Sequence, residues 1–420
     1  MADLVAPFRG ERYAAVERLS SLIAPPYDVI DQTERARYAA LAAENIVHVM
    51  LPEAPPAPPA PTAPPGGLDD DRYRLAAERL AGWRAKGVLR RDPQPVLYVL
   101  AQDFTLPTGE RLTRRGVFAA VAAEGYEPRR VRPHERTHAG PKADRLALMR
   151  ATATNIESIF LLAPDRDRAL ANAVASVSQG KPDATAELNG VGIRLWIVHD
   201  PSPFPLPPSP LYIADGHHRY ETASAYALEN PAADRVLALI VSAQDPGLAV
   251  LPTHRVVFGT GRDLERLLPR WREWFEVQPL AAGRDPVTAL ASLGKGRTAC
   301  LVADRSQTLA LLLKPGVLPD RLPSLAQSTA VRDLDVAQIE SLVVKEVLGA
   351  GMSTPIVRYV ADANEALGLV QHGGAAVAVL LNPTRVDQVF AVADAGDVMP
   401  PKSTYFVPKV PSGLVLRPLS

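Results

Sequence analysis

The segment Asp215-Gly216-His217-His218-Arg219 contains the side chains of this chain that are best suited to chemistry. It follows an apolar, strand-like segment at 211–214 and precedes a helix-like segment, so we expect it at the start of a helix. Unpaired backbone N–H groups and the helix dipole favour anions at such a position. Gly216 lets the backbone approach a ligand closely, and Arg219 can grip phosphate oxygens with two parallel hydrogen bonds. Asp215 can hold Mg²⁺, orient an imidazole or simply cap a polar turn. The pattern predicts an anion or phosphate site but does not specify a reaction.

A second polar segment, Pro133-His134-Glu135-Arg136-Thr137, begins with a proline that restricts the backbone. A glutamate close to a phosphate site can act as a general base and take the proton from an attacking hydroxyl. Arg136 and Thr137 can add contacts to an anion, and His134 contributes an imidazole. A solvated charged loop is the alternative interpretation, which the residues alone leave open.

Three further segments combine polar side chains with prolines. Ala24-Pro-Pro-Tyr27-Asp28-Val-Ile30 forms a rigid turn whose tyrosine can stack on a base or substrate, or can simply pack within the structure. Leu251-Pro-Thr-His254-Arg255 and the stretch from Lys402 to Lys409 combine basic and hydroxyl groups. Both can supply ligands for phosphate or carboxylate, or can form surface turns. The candidate anion contacts of these stretches are His254, Arg255, Lys402, Ser403, Thr404 and Lys409.

Strand-like and helix-like segments alternate along most of the chain, which is typical of a mixed α/β sheet. Two apolar runs, 96–106 and 114–126, are separated by turn residues and predict a hairpin. Further strands are predicted at 193–198, 211–214, 236–241, 256–258, 299–302, 309–313 and 375–381. Helices are predicted at 69–86, 144–149, 220–229, 263–275, 336–348 and 363–371.

The composition also predicts a division into domains. A run of prolines at 52–67 is interpreted as a surface insertion within an N-terminal segment, 1–92. We expect an α/β core at 93–260 and a C-terminal α/β domain at 261–420. The tail 399–409 is predicted to be neither helix nor regular strand, and we expect it to return to the site.

Composition and missing motifs exclude several classes of function. Lys and Arg together number 46, as do Asp and Glu, so the chain lacks the basic excess of a dedicated nucleic-acid binder. The single cysteine, Cys300, can form neither an internal disulfide nor a cysteine-rich zinc site. No long apolar run predicts a membrane span, and no export signal is evident, so we expect a cytoplasmic protein. The P-loop and the Gly-x-Ser-x-Gly nucleophile elbow are both missing from the sequence.

In these same segments the sequence resembles the bacterial and archaeal domain-of-unknown-function family DUF1015, which has no settled activity. The resemblance extends over almost the whole chain, and the proline-rich insertion at 52–67 departs from it. The matching segments, in chain order, are Ala24-Pro-Pro-Tyr-Asp-Val-Ile30, Pro133-His-Glu-Arg-Thr137, Ile213-Ala-Asp-Gly-His-His-Arg-Tyr-Glu-Thr222, Leu251-Pro-Thr-His-Arg255 and Pro401-Lys-Ser-Thr-Tyr-Phe406 with Pro408-Lys409.

More remotely, Arg132-Pro-His-Glu135 together with Asp215-Gly-His-His-Arg219 is similar to the paired motifs of the ParB/sulfiredoxin superfamily. The most similar branch is its free serine kinases, which carry a Pro-His-Glu turn and an Asp-Gly-His-His-Arg turn. The resemblance implies a ParB/sulfiredoxin-like core at 93–260. It also implies that Glu135 is the catalytic base on a substrate hydroxyl, while Asp215, His217, His218 and Arg219 hold nucleotide phosphates and Mg²⁺.

The function that this resemblance implies is phosphoryl transfer from ATP or ADP, with Mg²⁺, to a small hydroxylated metabolite, with free L-serine as the first candidate. Other branches fit less well, because sulfiredoxins need a cysteine where this chain has His217, and ParB proteins carry a DNA-binding domain. We therefore expect a nucleotide and a small molecule as partners, and no nucleic acid or membrane. Two alternatives stay open. One is a phosphatase or phosphotransferase that uses a phosphohistidine at His217 or His218; the other is a non-catalytic nucleotide-sensing module.

Overall fold

The computed structural model describes residues 3–53, 71–207, 210–259, 264–281, 283–317, 328–348 and 356–419. Most of the proline-rich insertion predicted at 52–67 lies outside the described residues. The chain divides into two compact units. The first unit contains Met1–Arg132, Thr137–Leu248 and Pro408–Ser420, and the second contains Pro133–Arg136 and Ala249–Val407.

The strands of the described residues are numbered in chain order. They are β1 (Val5–Ala6), β2 (Glu11–Tyr13), β3 (Leu89–Arg91), β4 (Leu97–Thr105), β5 (Arg111–Ala122), β6 (Val131–Arg132), β7 (Thr154–Asn155), β8 (Ile159–Ala163), β9 (Ala184–Leu188), β10 (Val191–Val198), β11 (Leu211–Asp215), β12 (Arg235–Ser242), β13 (Ala249–Leu251), β14 (His254–Phe258), β15 (Phe275–Pro279), β16 (Ala299–Ala303), β17 (Thr308–Leu313), β18 (Ile356–Val360), β19 (Val377–Leu381), β20 (Tyr405–Val407) and β21 (Arg417–Pro418).

The α-helices are numbered in the same way. They are α1 (Leu19–Leu22), α2 (Gln32–Leu41), α3 (Val47–Met50), α4 (Asp71–Ala85), α5 (Ala139–Thr152), α6 (Ala169–Val177), α7 (His217–Glu229), α8 (Leu264–Trp274), α9 (Pro286–Leu293), α10 (Thr329–Arg332), α11 (Asp335–Ile339), α12 (Lys345–Leu348), α13 (Ala363–Gln371) and α14 (Val386–Asp394). A π-helical turn, Glu340–Val344, joins α11 to α12. Within the described ranges, none of these helices combines the length and the hydrophobicity that crossing a bilayer requires.

A mixed sheet forms the centre of the first unit. Its strands run in the order β6-β11-β8-β12-β5-β4-β10-β9, and β1 pairs with β5. The β4–β5 hairpin is antiparallel, as the sequence predicts, whereas β12 is parallel to β8 and β11 is parallel to β6. Helices and strands thus alternate around one large mixed sheet, which confirms the predicted α/β fold class. The ParB/sulfiredoxin-like assignment of the core stays a prediction.

Both faces of the central strands are buried, and two different parts of the first unit cover them. On one face, Leu97 and Val99 of β4 belong to the hydrophobic core of the unit. On the opposite face, the phenol of Tyr98 packs against Phe8 and accepts a hydrogen bond from the backbone of Gly10 at 3.0 Å. The N-terminal segment therefore covers the second face of the sheet.

The C-terminal tail belongs to the first unit as well. Glu11 and Leu416 exchange backbone hydrogen bonds of 2.8 and 2.9 Å, and Ala24 and Ser412 exchange a second pair. The observed division thus differs from the boundaries expected at 92/93 and 260/261. The physical reason is that β1 pairs with β5, while the last residues of the chain pair with the N-terminal segment, so both ends complete the first unit.

The second unit contains an antiparallel sheet in the order β15-β17-β16-β19-β14-β18. Helix α13 packs on this sheet through Ala363, Ala366 and Val370, which belong to its hydrophobic core. A separate pair, β13 and β20, joins residues 249–251 to residues 405–407. The tail therefore contains a short strand that the sequence did not predict. Within this strand, Phe406 is buried and its two neighbours are half-buried, as expected when successive side chains point to opposite faces.

Candidate functional site in the first unit

The strand-to-helix corner of the first unit forms where the sequence predicts it. Strand β11 ends at Asp215, and α7 begins at His217. Gly216 joins them with φ at +90°, a left-handed backbone conformation that glycine adopts without steric cost. Because the N-cap residue of α7 is Gly216, it contributes no side-chain cap to the first turn of the helix. Its backbone N–H groups therefore present the positive end of the helix dipole at this corner.

Two cations share the carboxylate of Asp215. The ammonium Nζ of Lys409 lies 2.5 Å from Oδ1, and Nη2 of Arg219 lies 2.6 Å from Oδ2. Burial by itself would raise the pKa of Asp215, but the charges of Lys409 and Arg219 outweigh burial and hold that pKa well below its usual value. The carboxylate is therefore ionised at neutral pH and fixes both cations in place.

This geometry does not fit a magnesium ion held by Asp215. Each oxygen of Asp215 already accepts a hydrogen bond from a cation, and the positive charges of Lys409 and Arg219 would repel a divalent ion at the same carboxylate. Across the residues that the structure describes, no cluster of three or more His, Cys, Asp or Glu side chains is arranged to hold a metal. The expected role of Asp215 as a metal ligand is therefore replaced by a role in pairing Lys409 with Arg219.

Two imidazoles lie at the adjacent starts of α5 and α7. The backbone N–H of His138 donates to Nε2 of His218 at 2.9 Å, and the two rings stack with centroids 5.9 Å apart. Burial, together with the nearby imidazole of His138, lowers the pKa of His218. His218 is therefore neutral at neutral pH, which agrees with its role as a hydrogen-bond acceptor.

Glu221, one turn into α7, is hydrogen-bonded to two side chains at and near the start of α5. Its Oε2 accepts a hydrogen bond from the hydroxyl of Thr137 at 2.6 Å and another from Nζ of Lys142 at 2.8 Å. Thr137 thus lies in the first unit, whereas the rest of its motif, Pro133–Arg136, belongs to the second. The hydroxyl of Thr137 is engaged with a carboxylate in this arrangement.

The Pro-Pro-Tyr-Asp turn also belongs to this corner. The backbone N–H of Tyr27 donates to Oε1 of Glu157 at 3.0 Å, and the guanidinium of Arg145 lies over the Tyr27 ring at 4.4 Å. Burial, followed by the charge of Asp28, raises the pKa of Tyr27 to about 12. Asp28 is exposed, and its charge acts on both Arg219 and His218. Arg145 thus covers one face of the ring that we expected to stack on a base.

Glu157 is a buried carboxylate beneath this turn. Burial raises its pKa, while the cationic side chains of Arg219 and Arg145 lower it. Its Oε2 lies 3.5 Å from Nη1 of Arg145. The carboxylate of Glu157 therefore anchors the Tyr27 turn to the guanidinium of Arg145 within the first unit.

A second group of predicted residues comes together in the second unit. Nε2 of His134 hydrogen-bonds the hydroxyl of Thr404 at 3.1 Å, and the carbonyl of His134 accepts from the backbone of Met399 at 2.9 Å. The hydroxyl of Thr253 donates to the carbonyl of Lys402. Ser403 is buried, and its hydroxyl donates to the carbonyl of Pro400 at 2.6 Å. Three sequence motifs therefore meet within this unit.

The remaining predicted residues of the second unit differ in their surroundings. Glu135 is half-buried, whereas Arg136 and Lys402 are exposed. His254 is buried, and its Nδ1 accepts a hydrogen bond from the backbone of Leu381 at 3.2 Å. Burial and the charge of Arg255 lower the pKa of His254 to about 4, so this imidazole is neutral.

Arg255 has contacts within the second unit that account for its position. Its Nε lies 3.2 Å from Oε2 of Glu340 in the π-helical turn, and its guanidinium lies over the ring of Tyr359 at 5.2 Å. The phosphate-binding roles expected for His254 and Arg255 stay predictions.

The sequence interpretation missed several buried polar residues of the first unit, among them Gln102, Arg114, Arg145 and Glu157. One signal was available for Arg114. It lies four residues before Phe118 in β5, so the two side chains share a face of the strand, and Phe118 is a core residue. A charged residue on a core face is unusual and marks a polar network or a functional site.

Solved structures with some similarity to this chain have low sequence identity and low TM-scores. A free serine kinase in complex with AMP is 16% identical with a TM-score of 0.36, over 70% of this chain and 87% of that chain. A conserved hypothetical protein from Pyrococcus furiosus is 16% identical with a TM-score of 0.35, over 71% and 93%. SbnI with a C-terminal truncation, from Staphylococcus aureus, is 13% identical with a TM-score of 0.37, over 70% and 84%.

Among curated proteins, no match to this chain is found. A family model does match, and it covers most of the sequence. The model described as "Protein of unknown function (DUF1015)" aligns with residues 5–337, which include the Pro-Pro-Tyr-Asp, Pro-His-Glu-Arg and Asp-Gly-His-His-Arg motifs. The chain therefore belongs to the DUF1015 family.

Proposed function

We propose that the first unit binds the phosphate groups of ATP or ADP at the Asp215–Arg219 corner. We further propose that the protein transfers a phosphoryl group to a small hydroxylated metabolite, with free L-serine as the first acceptor to test. The observation that carries this proposal is the pairing of Lys409 and Arg219 on one carboxylate beside the start of α7.

Two cations at the corner favour an anion. Lys409 and Arg219 both pair with the single carboxylate of Asp215, so two positive charges lie side by side there. The first turn of α7 adds the positive end of a helix dipole. Because Asp215 holds both cations before a ligand arrives, little reorganisation is needed when a phosphate binds.

The proposed reaction has a simple balance. The acceptor hydroxyl attacks the terminal phosphorus of the nucleotide, the bond from that phosphorus to the bridging oxygen breaks, and the shortened nucleotide leaves. The hydroxyl proton passes to a general base. By resemblance to the free serine kinases we assign this role to Glu135. Mg²⁺ enters as the magnesium complex of the nucleotide and is part of the substrate.

Nucleotide binding is tested by titration calorimetry of the purified chain with ADP. Replacing Lys409 by methionine removes one cation of the corner and should weaken ADP binding by about tenfold or more, as expected for a charge-assisted hydrogen bond to phosphate. Lys86→Met is the matched control, because Lys86 is an exposed lysine of the same unit. Equal affinities of the two variants, or no affinity of the wild type for ADP, would argue against the proposed phosphate site.

Phosphoryl transfer is tested by incubating the protein with nucleotide, Mg²⁺ and L-serine and measuring phosphoserine by mass spectrometry. Glu135→Gln should abolish the product while ADP affinity and melting temperature are retained. Release of inorganic phosphate from phosphoserine without nucleotide would favour the phosphohistidine alternative instead. Tight ADP binding without turnover of any hydroxylated metabolite would favour the sensing module.

A further inference from the structure

Arg114 is an unusual residue of the large sheet, because its charge is buried without a carboxylate beside it. Its side chain is 1% exposed, and its guanidinium lies over the ring of Phe160 at 4.5 Å. Within the described part of the chain, no hydrogen-bond partner lies near its Nε or its Nη1. Its one hydrogen bond runs from Nη2 to the side-chain oxygen of Gln102.

A buried guanidinium without a paired carboxylate lowers the stability of the fold. Burial lowers the pKa of Arg114 to about 9, and the more distant charges of Asp245 and Asp215 oppose this effect. A buried charge without a paired ion is unfavourable, and an apolar side chain of similar volume is often as stable or more stable at such a position. The stability of the sheet therefore does not explain why an arginine occupies position 114.

The hydrogen bonds of Gln102 offer an explanation. Gln102 is fully buried, and its Nε2 donates to the backbone carbonyl of Lys409 at 3.0 Å. An arginine side chain can donate hydrogen bonds but cannot accept them. Arg114 therefore forces the oxygen of the Gln102 amide towards itself, and the amide nitrogen of Gln102 must point at Lys409.

We propose that Arg114 is a positioning residue for Lys409. It fixes the orientation of the Gln102 amide, this amide holds the backbone of the tail at Lys409, and the ammonium of Lys409 is thereby kept 2.5 Å from Asp215. The positioning role rests on the proposed function in one respect: if phosphate binds at Lys409, Arg114 affects phosphate affinity without touching the ligand.

The decisive variant is Gln102→Glu, because it separates stability from positioning. A glutamate at 102 gives Arg114 the carboxylate that it lacks, so the fold should be at least as stable as the wild type. The same glutamate has no N–H group for the carbonyl of Lys409, so the tail loses its anchor. Gln179→Glu is the matched control, since it adds the same charge at an exposed position of the first unit.

The measurement is the rate at which N-hydroxysuccinimidyl acetate modifies Lys409, followed by peptide mass spectrometry with Lys86 as the internal standard. In Gln102→Glu we expect Lys409 to react about five- to tenfold faster, since an equilibrium shifts by roughly that factor when a neutral hydrogen bond is lost. Arg114→Met removes the donor that orients the Gln102 amide, so Lys409 should react faster in it than in the wild type. Arg114→Lys retains a donor towards Gln102, and its Lys409 should react at a rate close to that of the wild type. The melting temperature of each variant is recorded alongside, because a purely structural role would change it together with the reactivity.

An unchanged rate for Lys409 in Gln102→Glu would overturn the inference. If Gln102→Glu does not fold, the double variant Arg114→Met/Gln102→Met removes both partners and gives the same test, with faster modification expected. ADP affinity is measured on the same samples and should fall by about tenfold with the faster modification. A wild type that binds no ADP would refute the proposed function, while the modification rates would still decide the role of Arg114.

Discussion

Replacing Asp215 by asparagine removes the negative charge that Lys409 and Arg219 share. Asparagine is almost isosteric and retains one oxygen acceptor, but it cannot balance either cation. The side chain of Arg219 is 8% exposed and loses its paired carboxylate, keeping the charges of Glu157 and Asp28, whereas the side chain of Lys409 is 16% exposed and can turn towards water. The substitution therefore tests whether the ion pairs at this corner stabilise the first unit.

The size of the effect follows from the burial of these groups. Removing one partner of a buried ion pair costs about 3–5 kcal/mol, and we expect the lower end because Lys409 can escape to water. For a unit of this size, 1 kcal/mol corresponds to about 2–4 °C in melting temperature, so the transition of the first unit should fall by roughly 6–12 °C at neutral pH. Differential scanning calorimetry of the full chain measures this shift.

The difference in melting temperature between the wild type and Asp215→Asn should depend on pH in a defined direction. The pKa of Asp215 lies well below its usual value in the folded protein, while the unfolded chain has the ordinary value of about 3.9. The stability contributed by this carboxylate is therefore complete above about pH 5 and is lost as the pH falls through the folded pKa. The melting temperatures of the wild type and Asp215→Asn should differ by a constant amount from about pH 5 to 8 and approach each other in stronger acid.

Asp103→Asn is the matched control for this experiment. Asp103 also pairs with an arginine, with its Oδ1 2.9 Å from Nη2 of Arg194, but its side chain is 43% exposed. An exposed pair of this kind contributes less than about 1 kcal/mol. If Asp215→Asn lowers the melting temperature no more than Asp103→Asn does, the reasoning about the buried pairs is refuted.

Three further predictions concern single residues. Gly216→Ala should destabilise the first unit by about 1–2 kcal/mol in thermal melts, because alanine is strained at φ +90°, whereas Gly82→Ala in the interior of α4 should stabilise it; equal effects would contradict this. Burial raises the pKa of the Cys300 thiol, so Ellman's reagent should label Cys300 only after unfolding, and fast labelling of the native chain would argue against its burial. In an NMR titration, His218 should have a midpoint below about 6.5, and His138→Ala should move it closer to that ordinary value; a midpoint at or above 6.5 in the wild type would refute the described environment.

The local elements of the fold were largely predictable from the sequence. The apolar runs at 96–106 and 114–126 correspond to β4 and β5, because a turn-forming segment separates two strands that are rich in apolar residues. Helix α5 was predicted at 144–149 but spans Ala139–Thr152. Its first turn contains Gly140 and Pro141, which are typical of loops, yet proline is tolerated in the first turn of a helix because the N–H group there has no partner.

The candidate site was predictable as a set of motifs but not as a set of contacts. Asp215, Gly216 and Arg219 lie within five residues of one another, so a local pattern was enough to predict an anion-binding corner. Lys409 follows Asp215 by 194 residues, and the pattern around it allowed a surface turn equally well. The magnesium ligand expected at Asp215 failed to fit for the same reason, since the competing cation comes from a distant part of the chain.

The sequence by itself determined the residue types of the corner, the glycine that joins β11 to α7 and the alternation of elements that predicts a mixed sheet. These features depend on neighbours within one turn or one strand, where side-chain periodicity and backbone preference act directly. Only the tertiary structure decided that Lys409 pairs with Asp215, that Gln102 connects Arg114 to the tail and that the motifs divide between two units. Such contacts arise from strand pairing and burial between distant segments, and a single sequence carries no local signal for them.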